Sequence, residues 1–109
     1  MLMALEQGYS MADLTMNLKL SGAWTNVTKL LSLEEDASYL FDIAVKSRGA
    51  IVRHAYTDTD DPPTAVGHPW EDIGDSQVFE QTADSILWMR VEGGLVQIDS
   101  ALLAVSQIF

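Results

Sequence analysis

The sequence predicts an all-β domain, an antiparallel sandwich or barrel with about seven or eight strands. Three observations predict it. Several short stretches alternate apolar and polar residues with period two. Turn signals rich in Gly, Pro, Asn, Asp and Ser separate them. No stretch of roughly 10–15 residues with helical periodicity alternates with the strands, as a parallel α/β sheet would require.

Residues 1–13 read as an N-terminal extension and residues 14–109 as one β-sandwich domain. The opening, MLMALEQGYSMADLTM, has no basic n-region and carries Glu6 and Asp13, so it does not read as a secretory signal; Met11 offers an alternative start. LTMNLKL then sets Leu14, Met16, Leu18 and Leu20 on one face and Thr15, Asn17 and Lys19 on the other, a half-buried strand. Ser21-Gly22 is a turn signal. AWTNVTKLL carries the β-formers Trp24, Thr25, Val27 and Thr28 and reads as the next strand. SLEEDAS is an acidic connection in which Ser32 and Glu35 have the spacing of a capping box for a single helical turn.

SYLFDIAVKS alternates Tyr39, Phe41, Ile43 and Val45 against Leu40, Asp42, Ala44 and Lys46. AIVRHAY follows it across KSRG, where Gly49 supplies a positive φ; this pair is the strongest hairpin signal in the chain. The stretch from His54 to Asp75 holds both histidines, all three prolines and a dense set of carboxylates. Its prolines exclude a regular helix or a central strand, so it reads as a long polar loop. QVFEQ is a short strand, DSILWMRVE a long one, Gly93-Gly94 a tight turn and LVQID the return strand. ALLAVSQIF reads either as one more strand or as a short amphipathic end. The expected inward set is Leu18, Leu20, Phe41, Ile43, Val45, Ile51, Trp88 and Val96.

At 109 residues and 48% apolar composition, the chain suits one domain with one core and is not a disordered sequence. The absence of cysteine removes disulfides, thiolate metal sites and cysteine nucleophiles. With a formal charge of −10, the surface repels phosphate backbones and anionic lipid, so neither nucleic acid nor a membrane surface is an expected partner. No apolar run reaches the roughly 20 residues of a spanning helix.

Several residue groups invite a chemical reading. Asp58, Asp60 and Asp61 resemble calcium ligands, but counting from Asp58 puts Pro63 where an EF-hand loop needs glycine and Pro69 where it needs glutamate. His54 and His68 lack the close pairing of a histidine metal site. His54 is expected on an exposed sheet side beside Arg53 or Tyr56, and His68-Pro69-Trp70 is expected to anchor the loop through the Trp70 ring. The neighbouring carboxylates Glu34/Glu35 and Glu71/Asp72 diverge on a strand or loop and do not form the spaced pair of a glycosidase. The serines lie in no G-x-S-x-G elbow, and Gly93-Gly94 precedes no helix that would make it a phosphate loop. No catalytic, cofactor or metal residue is therefore expected. Trp24, Trp70, Trp88, Tyr39 and Tyr56 offer a sugar-stacking platform if exposed, and ordinary core if not. Leu87, Trp88, Met89 and Val91 form an unbroken apolar strand that one small sandwich can cover on only one face; a neighbouring subunit is expected on the other, which makes these four the expected interface.

Four segments resemble the small virion proteins of tailed-phage structural gene clusters. LSGAWTNVT looks like their opening strand, AIVRHAYTDTDDPP like their strand running into an acidic, proline-bearing loop, FEQTADSILWMRV like their late strand, and EGGLVQID like their closing hairpin. The likeness spans about Leu14 to Asp99; the leader and the ALLAVSQIF tail depart from it. It implies a β-sandwich or jelly roll without enzymatic turnover that decorates or cements a capsid or sits at the head–tail connection. It also implies residence in the virion after assembly in the host cytoplasm. The implied partners are the major capsid protein or other virion proteins, with a homo-oligomer, trimer first, as the binding form. Either Met1–Ser10 or the tail Ala101–Phe109 is the expected docking arm. The alternative is a glycan- or small-ligand-binding β-sandwich module.

Overall fold

The computed structural model describes residues 15–45, 49–70, 76–93 and 101–108. In chain order these form β1 (Met16–Leu20), β2 (Thr25–Asn26), the single-turn helix α1 (Val27–Leu30), β3 (Ser38–Val45), β4 (Ile51–Thr57), β5 (His68–Pro69), β6 (Gln77–Glu80), β7 (Ile86–Glu92) and β8 (Ala101–Ile108). The strands make two antiparallel sheets, ordered β1-β8-β3-β6 and β2-β7-β4-β5. The pairs β1–β8, β2–β7, β3–β6 and β4–β5 each join a strand to its counterpart counted from the other end. They describe one long antiparallel ribbon, β1 to β4 against β5 to β8, wound so that β8 also meets β3 and β7 also meets β4. That is the jelly-roll order, and the expected all-β sandwich is what the chain forms.

The core lies between the sheets. Tyr39, Phe41 and Ile43 from β3 and Ala101, Leu103 and Val105 from β8 face Val52 of β4 and Leu87, Met89 and Val91 of β7. Phe41 stacks on Phe79 at 4.9 Å and on Trp70 at 5.8 Å between centroids, so one ring from the first sheet reaches its own edge strand and the end of the second sheet. The buried Tyr39 hydroxyl accepts from the Glu34 N–H at 2.8 Å, which removes the penalty of an unpaired phenol in the core.

One buried polar residue joins the two sheets. Gln81, 3% exposed, follows β6 where the chain crosses to β7. Its Oε1 accepts from Thr28 Oγ1 at 2.9 Å, and its Nε2 donates to the carbonyls of Thr82 at 2.9 Å and Ser85 at 2.5 Å. Thr28 Oγ1 in turn accepts from the Leu87 N–H at 2.9 Å. The Gln81 backbone closes the set, donating to Ala37 O and accepting from Asp36 N. Every polar group of the residue is satisfied, the condition under which a buried amide stabilises a fold.

The structure corrects several expectations. β3 and β4 do not pair as a hairpin: they lie in different sheets, because both sides of β3 are taken by β6 and β8, and Gly49 takes φ +82, while residues 46–48 lie outside the described residues. AWTNVTKLL is strand for two residues and then turns helical, because the Asn26 side chain accepts from the Lys29 N–H at 2.9 Å and caps the turn. Ser32 does not start a helical turn; it ends one, at φ +52. Ile51 is 38% exposed, since the inward phase of β4 starts at Val52. Trp88 is buried but faces away from the sandwich core. Of the two readings of ALLAVSQIF the strand holds over Ala101–Ile108, which is β8, an inner strand of the first sheet and not a docking arm. The extension over 1–13, Leu14, Val96, the LVQID strand and Gly94 lie outside the described residues.

Gln81→Leu should lower unfolding stability by about 2 kcal/mol, because Thr28 Oγ1 and two carbonyls lose their partner. Leu103→Ala should cost about 2–5 kcal/mol through the cavity it leaves, whereas Ile51→Ala should stay within about 0.5 kcal/mol. Urea unfolding of the three variants checks the ranking; a Gln81→Leu protein as stable as the parent would remove the residue from its structural role.

Candidate functional site

The loop from Asp58 to Gly67 folds back over the outer face of the second sheet. Two arginines on that face hold it there. Arg53 Nη1 donates to Gly67 O at 3.1 Å, and Arg90 Nη2 donates to Val66 O at 2.9 Å. Glu92 lies between them, hydrogen-bonded to Arg53 Nε and 3.6 Å from Arg90 Nη2, and the Arg53 guanidinium holds its carboxyl below the usual carboxylate range. The Arg90 guanidinium also sits 5.1 Å from the Trp24 ring, a cation–π contact. Gly67, at φ +90, packs so closely that a Cβ there would stand 2.6 Å from the Trp24 ring and 3.0 Å from His54 O.

This explains the unbroken apolar strand. Leu87, Met89 and Val91 are buried in the sandwich core, and Trp88, 5% exposed, is buried on the opposite face. The Trp88 indole N–H donates to Thr57 Oγ1 at 2.7 Å, and that hydroxyl donates to Thr59 O at 2.7 Å at the start of the loop. The second layer that β7 requires is thus in large part the chain's own loop. The four residues expected as an interface are interior to the fold, and their apolarity gives no ground of its own for a subunit contact.

The same winding leaves a cleft of about 650 Å³ where the two sheets part, between the edge strands β5 and β6. It is lined by His54 and Tyr56 of β4, Pro69 and Trp70, all four residues of β6, and Thr82 and Ser85. His54 does not face an exposed side, as its neighbours suggested; it shares the inward phase of Val52, with its ring edge-on to Trp70 at 5.1 Å. Trp70 is buried and its N–H donates to Val52 O, so His68-Pro69-Trp70 anchors the loop as expected. Burial pushes the His54 imidazole below its ordinary pKa, with the charge of His68 adding to the effect and a hydrogen bond to the His68 backbone opposing it. Burial also raises the Tyr56 phenol. Two buried atoms on cleft-lining residues have no hydrogen-bond partner, His54 Nδ1 and Gln77 Oε1. Gln77 was not singled out from sequence. Its signal is phase: it shares the inward parity of the buried Phe79 in QVFEQ, where a polar residue is out of place.

Among the described residues the acidic side chains do not group as metal ligands. Glu35, Asp58, Asp60 and Asp84 line a separate hollow of about 420 Å³, and among the described residues no three His, Asp or Glu side chains come together in a way that would hold a metal ion. The rings of His54 and His68 stand 6.3 Å apart between centroids on paired positions of β4 and β5. Glu71 and Asp72 lie outside the described residues. Nor do the tryptophans form a stacking platform: Trp70 and Trp88 are buried, and Trp24 lies under Arg90 and Gly67. Tyr56, 52% exposed, is the aromatic open to solvent at the cleft.

The outer face of the first sheet carries a different surface. Leu102, Ala104 and Ser106 alternate outward along β8, beside Leu40 and Ala44 of β3. Val78, 59% exposed, and Ile108 extend this patch across the sheet. Asp42 and Glu80 are its carboxylates. Compared with protein-family models, with curated proteins and with solved structures, the chain matches none.

Gly67→Ala combines a left-handed backbone with a clash against Trp24, so it should destabilise by about 1–2 kcal/mol and expose Trp24 and Trp88 to quenchers; unchanged quenching would mean that the loop does not depend on this contact. His54 supplies a pH dependence. Its folded-state pKa lies below the unfolded value of 6.5, so the unfolded chain takes the proton more readily. Stability from this group is complete above that pH and declines as pH falls through 6.5 toward the folded pKa. His54→Leu should flatten the decline relative to the parent in unfolding curves taken at successive pH values; a parallel decline would place the effect on other groups.

Proposed function

We propose that the protein is a structural component of a tailed-phage particle, a decoration or cementing protein that docks as an oligomer, trimer first, on the major capsid protein or another virion protein. The observation that carries this reading is the asymmetry of the two outer faces. The second sheet's face is covered by the chain's own loop, while the first carries Val78 and Ile108 exposed beside the partly exposed Leu40, Leu102 and Ala104. Exposed apolar residues grouped on a sheet face suit protein contacts. The jelly-roll order and the phage-protein resemblance support the same reading by analogy of fold, which by itself does not define function. The burial of Trp70 and Trp88 weighs against a tryptophan platform for glycans as the principal activity.

The charge of −10 directs binding toward protein rather than DNA. The docking surface moves from β7 to the outer face around Leu102 and Val78. Purified protein incubated with particles lacking it should cosediment in symmetry-matched stoichiometry, and light scattering should give a stable oligomer. Leu102→Arg should abolish cosedimentation with little change in melting temperature, since the side chain faces outward. A monomer that binds no particle would overturn the proposal.

A further inference from the structure

The four sheet edges differ in what guards them. β2 and β5 are two residues long, and Pro69 of β5 has no N–H to offer. β1 carries Lys19, the kind of charge that blunts an edge. β6 ends the first sheet with four residues, and among the described residues no strand lies beyond it. Its backbone phase identifies the groups left open. Gln81 N donates to Ala37 O and Gln81 O accepts from Asp36 N, both on the side of β3. Main-chain N–H and C=O groups alternate sides along a strand, so those of Phe79 and Gln77 also face β3. Those of Val78 and Glu80 face the open edge. Both residues are exposed, and the cleft of about 650 Å³ runs along all four residues of β6, which leaves room for another strand.

We propose that β6 accepts an extended, basic segment of a protein partner as an added strand, with the Val78 and Glu80 main chains forming the ladder. The proposal is independent of the assembly reading, which uses the outer face of the sheet rather than its edge. Strand addition draws affinity from main-chain hydrogen bonds and selectivity from alternate side chains. One set of the partner's side chains enters the cleft beside Tyr56, Pro69 and Trp70, so it is apolar. The other set lies on the outward face beside Val78 and Glu80. Charge decides its sign. The cleft lining holds Glu80 and neither lysine nor arginine, and Asp42 shares the outward face. Arg53 and Arg90 are engaged by loop carbonyls and Glu92. A second copy brings its own charge of −10 and its own Glu80, whereas a segment alternating apolar residues with lysine or arginine meets an opposite field.

The test titrates the full-length protein with a capped seven-residue peptide that alternates lysine with valine, read by fluorescence anisotropy and by NMR of the backbone amides. Saturable binding with a Kd on the order of 10–100 μM should come with shifts at the Val78 and Glu80 amides. The same peptide with glutamate in place of lysine should bind about tenfold more weakly or not at all. N-methylation at every lysine, or at every valine, should abolish binding in one of the two forms, the one whose amides face β6; charge attraction alone would spare both. Val78→Pro removes an N–H that β3 does not use, which an edge strand tolerates, so it should block binding while the melting temperature stays near the parent's. Glu80→Lys should weaken the basic peptide about tenfold through the outward side chain alone. Leu102→Arg, which disables the assembly surface, should leave peptide binding within about threefold. Absence of saturable binding, equal affinity for both N-methylated peptides and the parent peptide, or shifts away from β6 would each overturn the proposal. So would dimerisation of the protein through Val78 without uptake of peptide, which would assign the edge to a second copy.

Discussion

The hydrogen-bonded set centred on Gln81 is the constraint on which the rest of the architecture depends. A jelly roll keeps its sheets together through side-chain packing, since backbone hydrogen bonds run within each sheet. Gln81 and Thr28 add a polar connection between them at the crossing from β6 to β7. The amide fixes Thr82 and Ser85 through their carbonyls, and both residues line the cleft. Thr28 receives the Leu87 N–H, which places the first turn of β7 and hence the register of Trp88 against Ala55. One buried side chain thus links the sheet edges, the cleft wall and the strand beneath the covering loop.

The legible part of the fold was the part with one wet face. β1 and β3 show period two because one side meets the core and the other meets solvent, and Phe41 and Ile43 fell inward as their phase required. β7 lost its alternation because both faces are covered, so Trp88 was assigned to the wrong side although its burial was right. The KSRG error has another cause. Turn chemistry reports the local backbone, and Gly49 does take a positive φ; whether the next strand pairs with the last or crosses to another sheet is decided by partners far along the chain. The helical turn at Val27 was outweighed by β-formers, although Asn26 is a good cap.

The cleft was the least legible feature, because its walls come from β4, β5 and β6 and meet only after the ribbon is wound. The conspicuous histidines and carboxylates drew attention to metal chemistry. The informative residue was Gln77, a polar side chain in an inward phase. The long acidic loop, which looked like a site, is a covering layer. Two of the chain's six basic residues, Arg53 and Arg90, hold its backbone carbonyls, and Asp58, Asp60 and Asp61 are exposed.

The position of β8 bears on how the chain reaches its native state. β8 follows the seven other strands in chain order, yet it lies between β1 and β3, pairing Met16 with Val105 and Phe41 with Val105. Until it emerges from the ribosome, β1 and β3 have no shared neighbour, and the first sheet cannot close. Such long-range pairing pays the loop-closure entropy before any contact repays it and slows folding. The nascent chain therefore holds apolar strand edges open until β8 has followed the other strands, the interval in which chaperone engagement or premature pairing between neighbouring nascent chains competes with folding.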